Sequence, residues 1–146
     1  MASERSMRSR ITRALKHLDA MAVENAVQPG TPDVEFIGGW IELKSVDSKP
    51  KREDTVVRVD HFTPLQRLWL KRRRERGGRA WLLLRVGREW LLIDGKVAAA
   101  KVGTSTMADL IAAAVCHWPS TPSDESLAAA FTCLCAGLPP CLPARR

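Results

Sequence analysis

Apolar positions along the chain change their period several times, and each change marks an element. Met7, Ile11, Ala14, Leu15 and Leu18 recur every three or four residues, which predicts a helix over 4–18, with Ser3 as N-cap and Glu4 in the first turn. Residues 21–27 read as a short strand, stopped by Gln28-Pro29-Gly30-Thr31-Pro32. Two β-prone runs follow, 33–37 and 40–44, and Gly38-Gly39 between them is a two-residue hairpin signal. Residues 45–54 are polar and predict a loop, and 55–60 alternate like a strand. Thr63 caps and Pro64 opens a helix to Glu75, with Leu65, Leu68, Trp69 and Arg72 as its inner face and Gly77-Gly78 as its end. Residues 79–86 predict a buried strand, Gly87 a turn, 89–93 its partner and Asp94-Gly95 a second turn. A helix capped by Thr104 or Ser105 should use Met107, Leu110, Ile111 and Ala114 and reach His117, and Ser123 should start a last helix to Cys135. Helix, strands, helix, strands and helices in that order imply a mixed α/β fold.

Length and charge narrow this picture. A chain of 146 residues fits one domain. No run of about 18 apolar residues occurs, so no membrane span is expected. The N-terminal stretch lacks a secretory apolar segment, which makes a reducing interior the expected location. Cys116, Cys133, Cys135 and Cys141 contain no C-x-x-C pair and read as buried or idle thiols, with a structural zinc assisted by His117 as the lesser reading. The 23 Lys and Arg against 16 Asp and Glu give a net charge of +7, which favours a polyanionic partner.

The hairpin carries the candidate chemistry. A Gly38-Gly39 loop would set Ile37 opposite Trp40, Glu35 opposite Glu42 and Asp33 opposite Lys44. Alternation then puts Asp33, Glu35, Glu42 and Lys44 on one face and Val34, Phe36, Ile41 and Leu43 on the other. The apolar set should pack on a core. Asp33 and Glu42 become diagonal neighbours, with Cα atoms about 7–8 Å apart. Two carboxylates over that span can share a hard cation such as Mg²⁺, and the Leu43 carbonyl can add an oxygen ligand. Lys44 points the same way and can hold a water or a phosphate by charge. Glu35 opposite Glu42 implies either a third metal ligand or a hairpin that departs from this pairing.

Pro32-Asp33 followed by Glu42-Leu43-Lys44 resembles the PD-(D/E)XK nuclease superfamily. The fuller stretch, Gly30-Thr31-Pro32-Asp33 through Glu42-Leu43-Lys44 to Gln66, is similar to phage and bacterial members of the virus-type replication-repair nuclease (VRR-NUC) group. The resemblance covers roughly residues 4–95. It implies a restriction-endonuclease-like core over 1–96, a central mixed sheet flanked by helices. The residue pattern, not the resemblance, adds a C-terminal helical extension over 97–135 packed on the same domain and a tail over 136–146. The resemblance also implies phosphodiester hydrolysis with Mg²⁺ or Mn²⁺, in which Asp33 and Glu42 hold the metal and Lys44 is the catalytic lysine. Glu4 on the first helix, or less well Glu24, would complete the metal site, and Gln66 would line its edge.

A nuclease also needs phosphate contacts. Arg67, Lys71 and Arg74 on the helix after Thr63, and Lys49, Lys51, Arg52 and Arg58 between the two, are the candidate DNA-binding residues. His61 lies between these groups and reads as structural. Trp69, Trp81 and Trp90 sit in apolar patterns and read as core.

The expected function is a metal-dependent DNA endonuclease acting on branched or structured DNA, in bacterial or phage-infected cytoplasm, during recombination, replication or repair. Two other classes remain open at this stage. One is a DNA-binding module that keeps the fold without catalysis. The other is an adaptor or homodimer built on the Ala- and Leu-rich C-terminal helices.

Overall fold

The structure, a computed structural model, describes residues 3–140. Six strands form one mixed sheet in sequence order: β1 (Met21–Ala22), β2 (Val34–Phe36), β3 (Gly39–Val46), β4 (Ala80–Val86), β5 (Glu89–Asp94) and β6 (Cys116–Trp118). β3 and β4 run parallel and the other neighbours antiparallel. A parallel pair needs a crossover, and α2 (Pro64–Glu75) provides it. The other helices are α1 (Glu4–Ala14), α3 (Gly95–Lys101), α4 (Met107–Ala113) and α5 (Asp124–Cys135).

Alternation along the strands builds two cores. Val34, Phe36, Ile41, Leu43, Trp81, Leu83, Trp90 and Leu92 face α1 and α5, meeting Met7, Ile11, Leu15, Leu127 and Phe131. Ala80, Leu82, Leu84, Leu91 and Ile93 face the other way, against Trp69 and Leu70 of α2, Ala98 of α3 and Leu110 of α4. The fold is therefore three layers, with the sheet in the middle. Positions 42 and 44 of β3 lie between Trp40 and Val46 on the α2 side, where an apolar residue would be ordinary. They are Glu42 and Lys44, and both are buried.

Several expectations change. The first helix stops at Ala14 and continues as a 3₁₀ turn over Lys16–Leu18, ended by Asp19 in the left-handed region at φ 58°. The strand expected over 21–27 keeps only Met21–Ala22, because the Asn25 side chain accepts the Val27 and Gln28 N–H groups and turns the chain. Residues 55–60 form no strand. Val57 and Val59 are buried as alternation requires, yet among the described residues the segment makes only one bridge, Val56 to Thr106, so it runs extended without joining the sheet. Leu65 and Leu68 of α2 face outward, and Trp69 and Leu70 face in. Asp94 is an N-cap as well as a turn former: its Oδ2 accepts the Lys96 and Val97 N–H groups and starts α3. The helix expected to reach His117 ends at Ala113, where the Val115 N–H bonds Leu92 O and the chain joins the sheet as β6. The helix capped by Ser123 forms as expected. The end of the expected tail, 141–146 with Cys141, lies outside the described residues.

Candidate active site

The site lies where β3 outlasts β2. The observed pairs are Val34 with Ile41, Glu35 with Trp40 and Phe36 with Gly39, so the two-residue loop is Ile37-Gly38, one position earlier than expected. Opposed residues change, but sidedness does not, because moving a hairpin loop by one shifts the pairing by two. Glu35 stands opposite Trp40 and is exposed, which removes the clash with Glu42. Gly39 belongs to the strand for another reason. Its φ is 144°, and a Cβ there would lie 2.3 Å from the Arg79 carbonyl oxygen. The glycine lets β3 start in close contact with the chain that enters β4.

Pairing stops at Val34, and the Asp33 side chain takes over. Its Oδ2 accepts the Leu43 N–H at 2.9 Å, in place of the next rung of the ladder. In a strand, a residue's N–H and C=O leave on the same side. The Leu43 carbonyl therefore faces the same open edge as Asp33. Gly30, at φ 88°, allows this approach from below: a Cβ there would sit 2.7 Å from the Leu65 carbonyl oxygen at the start of α2.

Glu42 is 1% exposed and Lys44 5% exposed. Glu42 Oε1 lies 3.3 Å from Lys44 Nζ, and Oε2 is buried with no hydrogen-bond partner. Burial first, then the neighbouring Asp33 carboxylate, pushes the Glu42 carboxyl up to about 8, against the pull of Lys44. An orphaned buried carboxylate oxygen beside a second carboxylate is a poor arrangement for protein alone. It suits a hard cation, which would neutralise both charges, and Asp33, Glu42 and the Leu43 carbonyl are oxygen donors of the right kind. Among the described residues, no three His, Cys, Asp or Glu side chains come together as a metal-holding group.

Glu4 belongs to a different part of the site. Its Oε1 is 3.6 Å from Lys44 Nζ and its Oε2 3.4 Å from His61 Nε2. The first turn of α1 and the loop before α2 thus meet over the end of Lys44, giving an unbroken chain His61, Glu4, Lys44, Glu42. Glu24 is exposed and joins none of these contacts. His61, which the sequence reads as structural, is brought to Glu4 only by the folding of α1 against the loop. Gln66 sits at the third position of α2. Its Oε1 accepts the Thr63 N–H at 2.9 Å while Thr63 Oγ1 accepts the Gln66 N–H, a reciprocal cap that occupies the side chain.

The basic residues divide into two groups. Arg67 donates to the carbonyls of Phe62, Ala99 and Val102 and stacks on the Phe62 ring, so it ties α2 to α3. Arg74 binds Asp94 at 2.6 Å and the Gly78 carbonyl. In the structure both guanidinium groups are held by contacts within the fold. Lys49 pairs with Glu89 and Arg52 with Asp54, both at the surface. Lys51, Arg58 and Lys71 are exposed and make no ion pair among the described residues. Arg85, unremarked in the sequence, is a buried cation on β4 that donates to Ser45 and Asp47 and to the Gly87 carbonyl, pinning the end of β3 just past Lys44.

Cys116 lies on β6, at the edge of the sheet three strands from β3. Burial raises the Cys116 thiol to about 11, which keeps it protonated, and its neighbour His117 bonds Glu89 at 2.9 Å. No helix among the described residues is long and apolar enough to cross a membrane. Comparison with protein-family models gives no match, and comparison with curated proteins gives none either.

Proposed function

We propose that the protein is a metal-dependent nuclease that hydrolyses DNA phosphodiester bonds at the notch beside β3, with a core of the restriction-endonuclease kind. The observation that carries this reading is the buried Glu42 carboxylate, with one oxygen unpartnered, next to Asp33 and 3.3 Å from the Lys44 ammonium. A central strand that buries two ionisable groups at apolar positions loses stability, and such losses are tolerated at sites of chemistry. Bound between Asp33, Glu42 and the Leu43 carbonyl, Mg²⁺ or Mn²⁺ would lower the pKa of water and offset charge on the phosphate.

The chain's own residues supply the rest. Lys44 is confined by Glu42 and Glu4, so its ammonium is oriented before substrate arrives and can hold the attacking water or a phosphate oxygen. Glu4 and His61 fix that ammonium from the solvent side. Lys51, Arg58 and Lys71 are exposed and free to meet the DNA backbone. Branched or structured DNA, in a bacterial or phage-infected cytoplasm, is the substrate and setting that go with this reading.

The test is cleavage of duplex, flap and four-way DNA by purified protein, with Mg²⁺ omitted and restored. Lys44→Ala should lower cleavage roughly a hundredfold or more and leave the circular dichroism spectrum unchanged. Equal cutting by Lys44→Ala and wild type would overturn the proposal. Salt-sensitive binding with no cutting in either metal would favour a non-catalytic DNA-binding module instead.

A further inference from the structure

Apart from Lys71, the outward face of α2 has no role in the site described above. Leu65 is 53% exposed and Leu68 51% exposed, one turn apart. Lys71 and Arg72 continue the same side at helical spacing, exposed and without an ion pair among the described residues. The inward side of the helix is already committed to Trp69, Leu70 and the capped or tethered Gln66, Arg67 and Arg74. The first turn of this helix borders the notch: the Leu65 carbonyl is the close neighbour of Gly30, which leads to Asp33, and His61 just before the cap reaches Glu4.

We infer that this face is a nucleobase-contacting surface, in which Leu65 and Leu68 press against bases whose stacking is interrupted while Lys71 and Arg72 hold the flanking phosphates. The inference rests on the nuclease reading for its choice of DNA as partner. A leucine has no donor for a phosphate, and the apolar surfaces that DNA offers are base faces, hidden in an intact stack and open at a bulge or gap. The cations beside the leucines set the sign of the partner's charge. A leucine pair alone would suit a protein; a leucine pair bordered by unpaired cations, next to a candidate phosphodiester site, suits DNA with an exposed base.

The experiment measures binding in EDTA, so that no cleavage is needed. The probes are an intact DNA duplex and the same duplex with an unpaired bulge flanked by 2-aminopurine. Wild type should bind the bulged DNA about tenfold more tightly, the scale set by covering two half-exposed leucines, and should change the 2-aminopurine fluorescence. The double substitution Leu65→Ala with Leu68→Ala should bind both DNAs equally, at the wild-type affinity for intact duplex. Alanine favours the helix and both positions are exposed, so the fold should hold. Leu65→Met with Leu68→Met should restore the preference. Arg72→Ala should weaken both complexes alike. The inference is overturned by a double alanine variant that keeps the preference, by equal weakening on both DNAs, by no binding to either, or by loss of a dimer in sedimentation, which would assign the leucines to a second copy of this chain. Cleavage with Mg²⁺ scores the nuclease reading separately: leucine-dependent discrimination without cutting keeps this inference and rejects that one.

Discussion

Glu42 concentrates the energetics of the site. Its carboxyl is raised from 4.5 to about 8, so the folded protein holds a proton that the unfolded chain releases. The contribution of this group to stability is therefore fully present below pH 4.5 and is lost as pH rises through about 8. Glu42→Gln keeps the shape and removes the ionisation. In metal-free buffer its stability should stay level across that window while wild type falls, a gap on the order of a few kcal/mol by pH 9. Thermal unfolding against pH reads this directly, and a wild type as flat as the variant would refute it. Mg²⁺ should raise the unfolding temperature of wild type and not of Glu42→Gln, because a ligand that binds only the folded state stabilises it by mass action. Asp33 has a double duty, accepting the Leu43 N–H and facing Glu42. Asp33→Asn keeps an acceptor for that N–H and should move the Glu42 titration downward, as followed by carboxyl NMR, since the Asp33 charge, the largest cause of the rise after burial, is gone.

At the scale of elements, α2 both crosses over from β3 to β4 and borders the notch. Its start is fixed by the reciprocal Thr63 and Gln66 cap. Thr63→Ala should cost about 1 kcal/mol in denaturant unfolding. Gln66→Glu preserves the cap and should change stability by less than about 0.5 kcal/mol, whereas Gln66→Ala should resemble the loss of Thr63. If cleavage falls with Gln66→Ala and is kept by Gln66→Glu, the residue acts through the helix end; a loss in both variants would mean that its amide itself serves the site. β3 is the other element whose ends matter. Gly39 lets it begin against Arg79, and Arg85 holds its far end through Ser45. Between these two anchors Glu42 and Lys44 keep their places.

Across the whole molecule, the +7 charge is not one surface. Arg67 and Arg74 are spent on carbonyls and Asp94 within the fold, and Arg85 is buried. Arg67→Ala should therefore unfold the protein more readily, by about 2–3 kcal/mol for three lost charged hydrogen bonds in a partly buried site, and Lys71→Ala should leave stability unchanged. Lys71→Ala should instead weaken DNA binding and lower the slope of log affinity against log salt by about one. A salt slope unaffected by Lys71→Ala would remove that residue from the interface.

By itself the sequence determined which residues share a face. Strand alternation has a period of two, so any two-residue loop closing the hairpin leaves Asp33, Glu42 and Lys44 on one side and Val34, Phe36, Ile41 and Leu43 on the other. It also determined the bounds of α2, whose cap, first proline and closing glycines are local signals. Tertiary structure decided the rest. The register moved because Gly39 is needed against Arg79, a contact 40 residues away in sequence. β6 formed because the edge of β5 offered hydrogen bonds that a continued helix could not use. The partners of Arg67 and Arg74 depend on α3, which starts where the local pattern shows only the Asp94-Gly95 turn. The burial of Glu42, and the meeting of Glu4 and His61 over Lys44, depend on how helix and loop pack around the edge of a sheet. Charge is local to a residue; its desolvation and its partners are set by chain segments far away, and these make Glu42 and Lys44 a site.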